Sequence, residues 1–150
     1  MLRAHEASPE EDAAEYLSEL GYDLSARVAP KLVLALHGHE EEQGHTMYII
    51  HCALHAASQE HHSNPRWQRA LPLAWLCRRR LSELRAGLHD PVKLALGDAY
   101  VAAFQDTPFA RRGGLPGTSK RLERWLAALA ACLSRGAWDA RLCAQALRFL

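Results

Sequence analysis

Between Trp75 and Leu88 the sequence reads Trp-Leu-Cys-Arg-Arg-Arg-Leu-Ser-Glu-Leu-Arg-Ala-Gly-Leu, and its apolar spacing changes period part-way. The first half suits a strand. In the second half Leu81, Leu84 and Leu88 fall at helical spacing. Strand-like segments precede this point and helix-like segments follow it, which confines the chain to an α+β architecture. Three arginines, Arg78 to Arg80, stand at the change. Side chains alternate across a strand, so Arg78 and Arg80 are expected on one face and Arg79 on the other. The plain reading is a solvated strand end. The sharper one is that a single guanidinium points into an anion-binding pocket.

Before the change, Val28 to His39 reads as a strand around the apolar run Leu32 to Leu36, which is short for a helix. His37 to Gly44 is polar and bounded by glycine, and is expected to be a hairpin loop. Thr46 to Leu54, with Tyr48, Ile49 and Ile50, is a second strand. After a polar loop from Ala56 to Pro65, a third runs from about Arg66 to Arg79, with Pro72 marking an edge or a bulge. Loops of this length favour an antiparallel meander. Ahead of it all, Ser8-Pro9-Glu10-Glu11 carries an N-cap, a first-turn proline and first-turn acids. A short helix through Leu20 is predicted, packed on the domain or left as an acidic lead-in, with Gly21 as its stop.

After the change, helices are predicted from Leu81 to Leu88, from Pro91 to Phe104, from Lys120 to about Arg135, and from about Trp138 to Phe149. His89-Asp90-Pro91 punctuates the first two. Thr107 to Gly117 is a Gly- and Pro-rich loop. Leu122, Trp125, Leu126, Leu129, Ala130 and Leu133 give the long helix an apolar face. Residues 1–27 are therefore expected to form a lead-in and residues 28–150 a single domain.

Charge is unevenly spread. Residues 1–60 hold 3 basic and 11 acidic side chains, and residues 61–150 hold 15 and 6. The basic part suggests an anionic partner, or its own acidic N-terminal part. Cys52, Cys77, Cys132 and Cys143 lie in apolar stretches without C-x-x-C spacing, so they read as buried free thiols. No apolar run approaches the ~18 residues of a membrane span, and the N-terminus lacks a signal core. These features predict a soluble, cytoplasmic protein that meets a membrane only from its surface.

The nine histidines include His37-x-His39, His51-x3-His55 and His61-His62. None has a Cys or acidic partner at a recognisable ligand spacing, so no metal site and no cofactor is expected. No catalytic signature is present: G-x-S-x-G, H-E-x-x-H and Walker-type loops are absent. Gly113-Gly114-x-Pro116-Gly117 lacks the lysine of a phosphate-cradling loop and reads as a turn or a pocket rim. The basic clusters are Arg78 to Arg80, Arg111-Arg112, and Lys120, Arg121 and Arg124. Few aromatics interleave them, which disfavours nucleic acid as a partner. Cations at the start of a helix oppose its dipole, and a bound anion there would offset them.

The segment Trp75-x-Cys77-x-Arg79-Arg80-Leu81-Ser82-Glu83-Leu84, with Leu88 following, resembles the strand motif of the phox-homology (PX) domain family. Tyr48-Ile49-Ile50-x-Cys52 is similar to that family's second strand. Thr107-Pro108-Phe109-Ala110-Arg111-Arg112 resembles its proline-rich loop, and Leu122-Glu123-Arg124-Trp125-Leu126 the core of its last long helix. The resemblance spans about Val28 to Phe149. It implies an α+β fold in which a three-stranded antiparallel β-meander packs on a helical subdomain, here with an extra N-terminal helix. It also implies a non-enzymatic phosphoinositide-binding module, most often for phosphatidylinositol 3-phosphate, attached peripherally to endosomal membranes. On that basis Arg80 is placed to hold the 3-phosphate, with Arg79 and Leu81 beside it. Arg111 or Arg112 would meet the 1-phosphate, Lys120 or Arg121 would add charge, and Phe109 and Leu115 would dip into the bilayer. Two positions depart from the motif: Leu81 stands where an aromatic is usual, and Thr118 where an arginine is. The alternatives are a PX-like protein-interaction domain whose lipid pocket has decayed, and a small metal- or thiol-dependent enzyme.

Overall fold

A computed structural model of the chain describes residues 7–56, 73–110 and 117–150. The first helix, α1 (Pro9–Glu19), opens on a reciprocal cap. The Ser8 hydroxyl accepts from the Glu11 amide at 3.2 Å, and the Glu11 carboxylate accepts from the Ser8 amide at 2.9 Å. The chain leaves this helix at Gly21, whose φ of +100° suits glycine.

Three strands follow, β1 (Lys31–Glu42), β2 (His45–His55) and β3 (Leu73–Arg80). They form one antiparallel sheet in the order β1-β2-β3. The segment expected to be a loop, His37 to Gly44, instead prolongs the hairpin. Glu40, Glu41 and Glu42 pair with Met47, Thr46 and His45, and the turn shrinks to Gln43-Gly44. Both turn residues have positive φ, 49° and 77°. That is the twist a two-residue hairpin turn needs, and Gly44 supplies half of it without strain. The expected Pro72 irregularity, the loop from Ala56 to Pro65 and the start of the third strand lie largely outside the described residues.

The register of β1 slips between Leu36 and Gly38, where His37 is the extra residue of a β-bulge. Ahead of the bulge, Leu32 and Leu34 point to the core. Beyond it the phase is inverted: His39 and Glu41 lie opposite Tyr48 and Thr46, while Glu40 and Glu42 take the other face.

β3 passes directly into helix. Leu81–Leu84 (α2) continues through a π-helical turn, Arg85–His89, into α3 (Asp90–Leu96) without the break expected at His89-Asp90-Pro91. Pro91 has no N–H to give, and a regular helix would press its ring on the carbonyl four residues back. The wider turn takes up this defect: the Asp90 amide reaches five residues back to the Arg85 carbonyl. The break comes later, at Gly97 (φ +53°), before α4 (Ala99–Ala103). Then come α5 (Thr118–Arg135) and α6 (Ala140–Phe149).

The core lies between the inner sheet face and the helices. Leu32, Leu34, Tyr48, Ile50, Cys52, Leu54 and Cys77 meet Leu122, Trp125, Leu126, Leu129 and Leu133 of α5. α5 crosses β1, and Ser134 ties the two together: its hydroxyl accepts from the Leu32 amide at 2.9 Å and donates to the Ala130 carbonyl at 2.7 Å. α1 is no solvated lead-in. Ala13 and Leu17 are buried against α6, and Tyr22 donates to the Leu133 carbonyl at 3.2 Å. Burying Leu17 contributes roughly 1.5–3 kcal/mol. The exposed Arg148–Asp12 and Arg141–Glu10 pairs, at 2.9 and 3.3 Å, add at most about 1 kcal/mol each.

All four cysteines are free and buried. Desolvation pushes the Cys52 and Cys143 thiols up to about 12 and raises Cys77 and Cys132 as well.

Candidate functional site

The three arginines at the end of β3 meet three different fates. Arg78 faces outward opposite Ile49 and is held by Glu40 at 2.7 Å and Glu42 at 3.3 Å. The bulge at His37 is what turns those two glutamates toward it. Arg79 lies opposite Tyr48, on the core face. Its guanidinium donates to the Phe149 carbonyl at 3.0 Å and to the Arg78 carbonyl at 3.0 Å, and sits 5.0 Å from the centre of the Phe149 ring. The Arg79 expectation is therefore corrected: it joins β3 to the end of α6, because on the inward face its charge had to find internal acceptors.

Arg80 ends the strand and starts the helix. Its backbone amide donates to the Glu83 carboxylate at 2.9 Å. Its guanidinium has no hydrogen-bond or ion-pair partner among the described residues, and the residue is half-buried. Leu81 is half-buried too and leans on the core.

Beside this strand end lies an open concavity of about 450 Å³, lined by His39, Thr46, Tyr48, Gly117, Thr118, Ser119 and Lys120. One wall is the far end of the β1–β2 hairpin, and the other is the first turn of α5. Arg80 does not line it. Arg80 opposes Met47, between the lining residues Thr46 and Tyr48 but on the other face. Tyr48 is 7% exposed, and its ring belongs to the core. Its centroid lies 6.1 Å from that of His39. Its hydroxyl has no hydrogen-bond partner among the described residues. Desolvation, with Glu41 adding to it, holds the phenol above its usual range. The Thr46 hydroxyl is satisfied by Glu41 at 2.7 Å. Across the gap, α5 begins at Gly117 in the left-handed region (φ +92°) with no side chain capping it. Its first intrahelical bond runs from the Arg121 amide to the Gly117 carbonyl. The amides of Ser119 and Lys120 have no acceptor within the helix, and the positive end of the dipole faces the concavity. Lys120 and Arg121 are exposed, with only Lys120 on the wall.

Phe109 corrects the membrane-contact expectation. It is 7% exposed, packed edge-on against Trp125 at 5.1 Å and tilted by 31° against His89 at 4.6 Å, with the Arg85 guanidinium 4.9 Å from its ring centre. Arg85 also donates to the Ala110 carbonyl at 2.6 Å, which draws the segment inward. A large aromatic beside an aromatic cluster gains more by burial than by contact with solvent. Arg111, Arg112 and Leu115 lie outside the described residues. Among the described residues no group of three or more His, Cys, Asp or Glu is placed to hold a metal ion; His51 and His55 share the exposed outer sheet face.

Sequence reasoning missed His39, Thr46 and Tyr48 as neighbours of Lys120. The available signal was the phase of β1. Apolar residues at 32, 34 and 36 give way to a polar stretch across His37-Gly38-His39, as a bulge requires.

No protein-family model, curated protein or solved structure matches the chain. Among the described residues no helix is long and apolar enough to cross a membrane.

Proposed function

We propose that this chain is a non-enzymatic phosphoinositide-binding module that attaches peripherally to membranes, with phosphatidylinositol 3-phosphate as its lipid and endosomal membranes as its place of action. One observation carries the reading. Of the three arginines at the end of β3, two are engaged by groups of the same chain, and Arg80 alone keeps a guanidinium without a partner among the described residues. A planar, permanently charged fork suits a phosphate. On the other face of the same strand end, a concavity with Lys120 on its wall falls within the size range of small-ligand sites. The test is sedimentation with vesicles with and without phosphatidylinositol 3-phosphate. Wild type should bind the former, and Arg80→Ala should bind about tenfold more weakly or not at all. Equal binding by the two proteins removes Arg80 from the site.

A protein-interaction domain is the second reading. It is favoured by Leu94 and Val101, 87% and 72% exposed on α3 and α4, where large apolar side chains stand in solvent on short helices. Binding of wild type to no phosphoinositide at all would favour it over the first.

A further inference from the structure

We infer that the phosphate is gripped at the start of α5 by Tyr48, Lys120 and the first-turn amides, with the Tyr48 hydroxyl as the group that orients it. The inference rests on the phosphoinositide reading for the nature of its ligand. Its contacts are separate from Arg80.

Two independent observations meet at this place. The first is the N-terminus of an eighteen-residue helix that lines a concavity, carries Lys120 on its first turn, and whose Ser119 and Lys120 amides have no acceptor among the described residues. A helix end of this kind offers amide donors and a positive potential to an anion. The second is Tyr48. More than nine-tenths of the residue is buried and the ring is fixed in the core. Tyr48 nevertheless lines the concavity, and its hydroxyl has no partner among the described residues, whereas the neighbouring Thr46 hydroxyl is already taken by Glu41. Buried hydroxyls in folded proteins are nearly always hydrogen-bonded, so one left at a pocket wall marks a place for a ligand oxygen. A neutral phenol donates to a phosphate oxygen, and burial keeps this one neutral well above physiological pH.

The opposing charge is Glu41, which engages Thr46 at the hairpin end. His39, on the same wall as Tyr48, is the remaining titratable side chain of the lining. The chemistry recognised is a phosphomonoester, carried by a lipid headgroup or free in solution.

The experiment titrates ¹⁵N-labelled protein with inorganic phosphate and with a soluble inositol 1,3-bisphosphate, alongside vesicles bearing phosphatidylinositol 3-phosphate. It compares wild type, Tyr48→Phe, Lys120→Gln and Arg80→Ala. The Ser119 and Lys120 amide resonances should move in wild type. Tyr48→Phe keeps the ring and should weaken headgroup binding about fivefold. Lys120→Gln, on the surface, should weaken it about tenfold. If Tyr48→Phe and Lys120→Gln both bind as wild type does while Arg80→Ala does not, this inference is overturned and the lipid reading stands. If inorganic phosphate moves these amides in a Tyr48-dependent way and the vesicles are not bound, the site holds and its ligand is a free phosphate. If no probe moves them, the inference is overturned.

Discussion

The end of β3 borders two regions that treat polar groups in opposite ways. Toward α6, the donors at the strand end have acceptors. The Trp75 indole N–H donates to the Leu150 carbonyl at 3.0 Å, and Arg79 donates to the Phe149 carbonyl at 3.0 Å. Gly87 leaves no room for a side chain beneath the Phe149 ring. The Tyr48 hydroxyl and the Ser119 and Lys120 amides, toward α5 on the inner face, and the Arg80 guanidinium, on the outer face, have no acceptor within the described protein. Adjacent residues of one arginine run thus fall on either side of a physical divide. The first region holds the fold together by mutual satisfaction. The second leaves groups unsatisfied at an open surface, where water covers them until a ligand does. Clusters of unsatisfied groups are therefore the better guide to binding than counts of charge.

The largest expected effect tests how dry the closed region is. Cys52 and Cys143 are raised to about 12 by burial. A thiol with a raised folded value stabilises the fold in full below its ordinary value near 9. That contribution is lost as the pH climbs toward 12, because only the unfolded chain ionises freely. Stability should fall on the order of 1.4 kcal/mol per pH unit for each thiol across that window. Denaturant melts from pH 8 to pH 11.5 check it, with Cys52→Ala/Cys143→Ala as the control whose slope should be shallower. Identical slopes would mean that the thiols reach solvent in the folded state.

Next in size is the contrast between neighbours. Arg79→Ala removes a charged hydrogen bond and a stacked cation, and should cost about 2 kcal/mol of stability in urea melts while leaving headgroup affinity unchanged. Arg80→Ala should do the reverse, with stability within about 0.5 kcal/mol of wild type and binding reduced about tenfold. The same defect in both variants would erase the divide.

How far this divide was legible in the sequence depends on the residue. The α+β order, the three strands, the apolar face of α5 and the Ser8 cap follow from periodicity and capping chemistry, which are local. That Arg79 takes the face opposite Arg78 and Arg80 followed from alternation, but its partner Phe149 lies seventy residues away, and no local pattern names it. Phe109 sits in a Pro- and Arg-bearing stretch that resembles a membrane loop. Its burial is decided by His89 and Trp125, contacts that only the fold brings together. The concavity was hidden for a related reason. A one-residue bulge reverses the face of everything after His37, so His39 could not be matched with Tyr48 without the register.

The smallest expected effect probes the opposing charge that Glu41 brings to the open region. Glu41 comes to the inner face through that same bulge, accepts from Thr46 at 2.7 Å and adds to the upward push on the Tyr48 phenol. Its carboxylate faces solvent at the hairpin end, so its repulsion of a bound phosphate is heavily screened, at most about 1 kcal/mol. Glu41→Gln keeps an oxygen for Thr46 and removes the charge. Headgroup affinity should rise about twofold at low salt, and the gain should vanish at molar salt, where the screening length shrinks to ~3 Å. Glu40→Gln, one residue away on the opposite face and paired with Arg78, is the matched control on the outer face. An equal gain from both would mean that the anion senses only net charge. A gain confined to Glu41→Gln would tie the ligand to the inner face, between the hairpin and the first turn of α5.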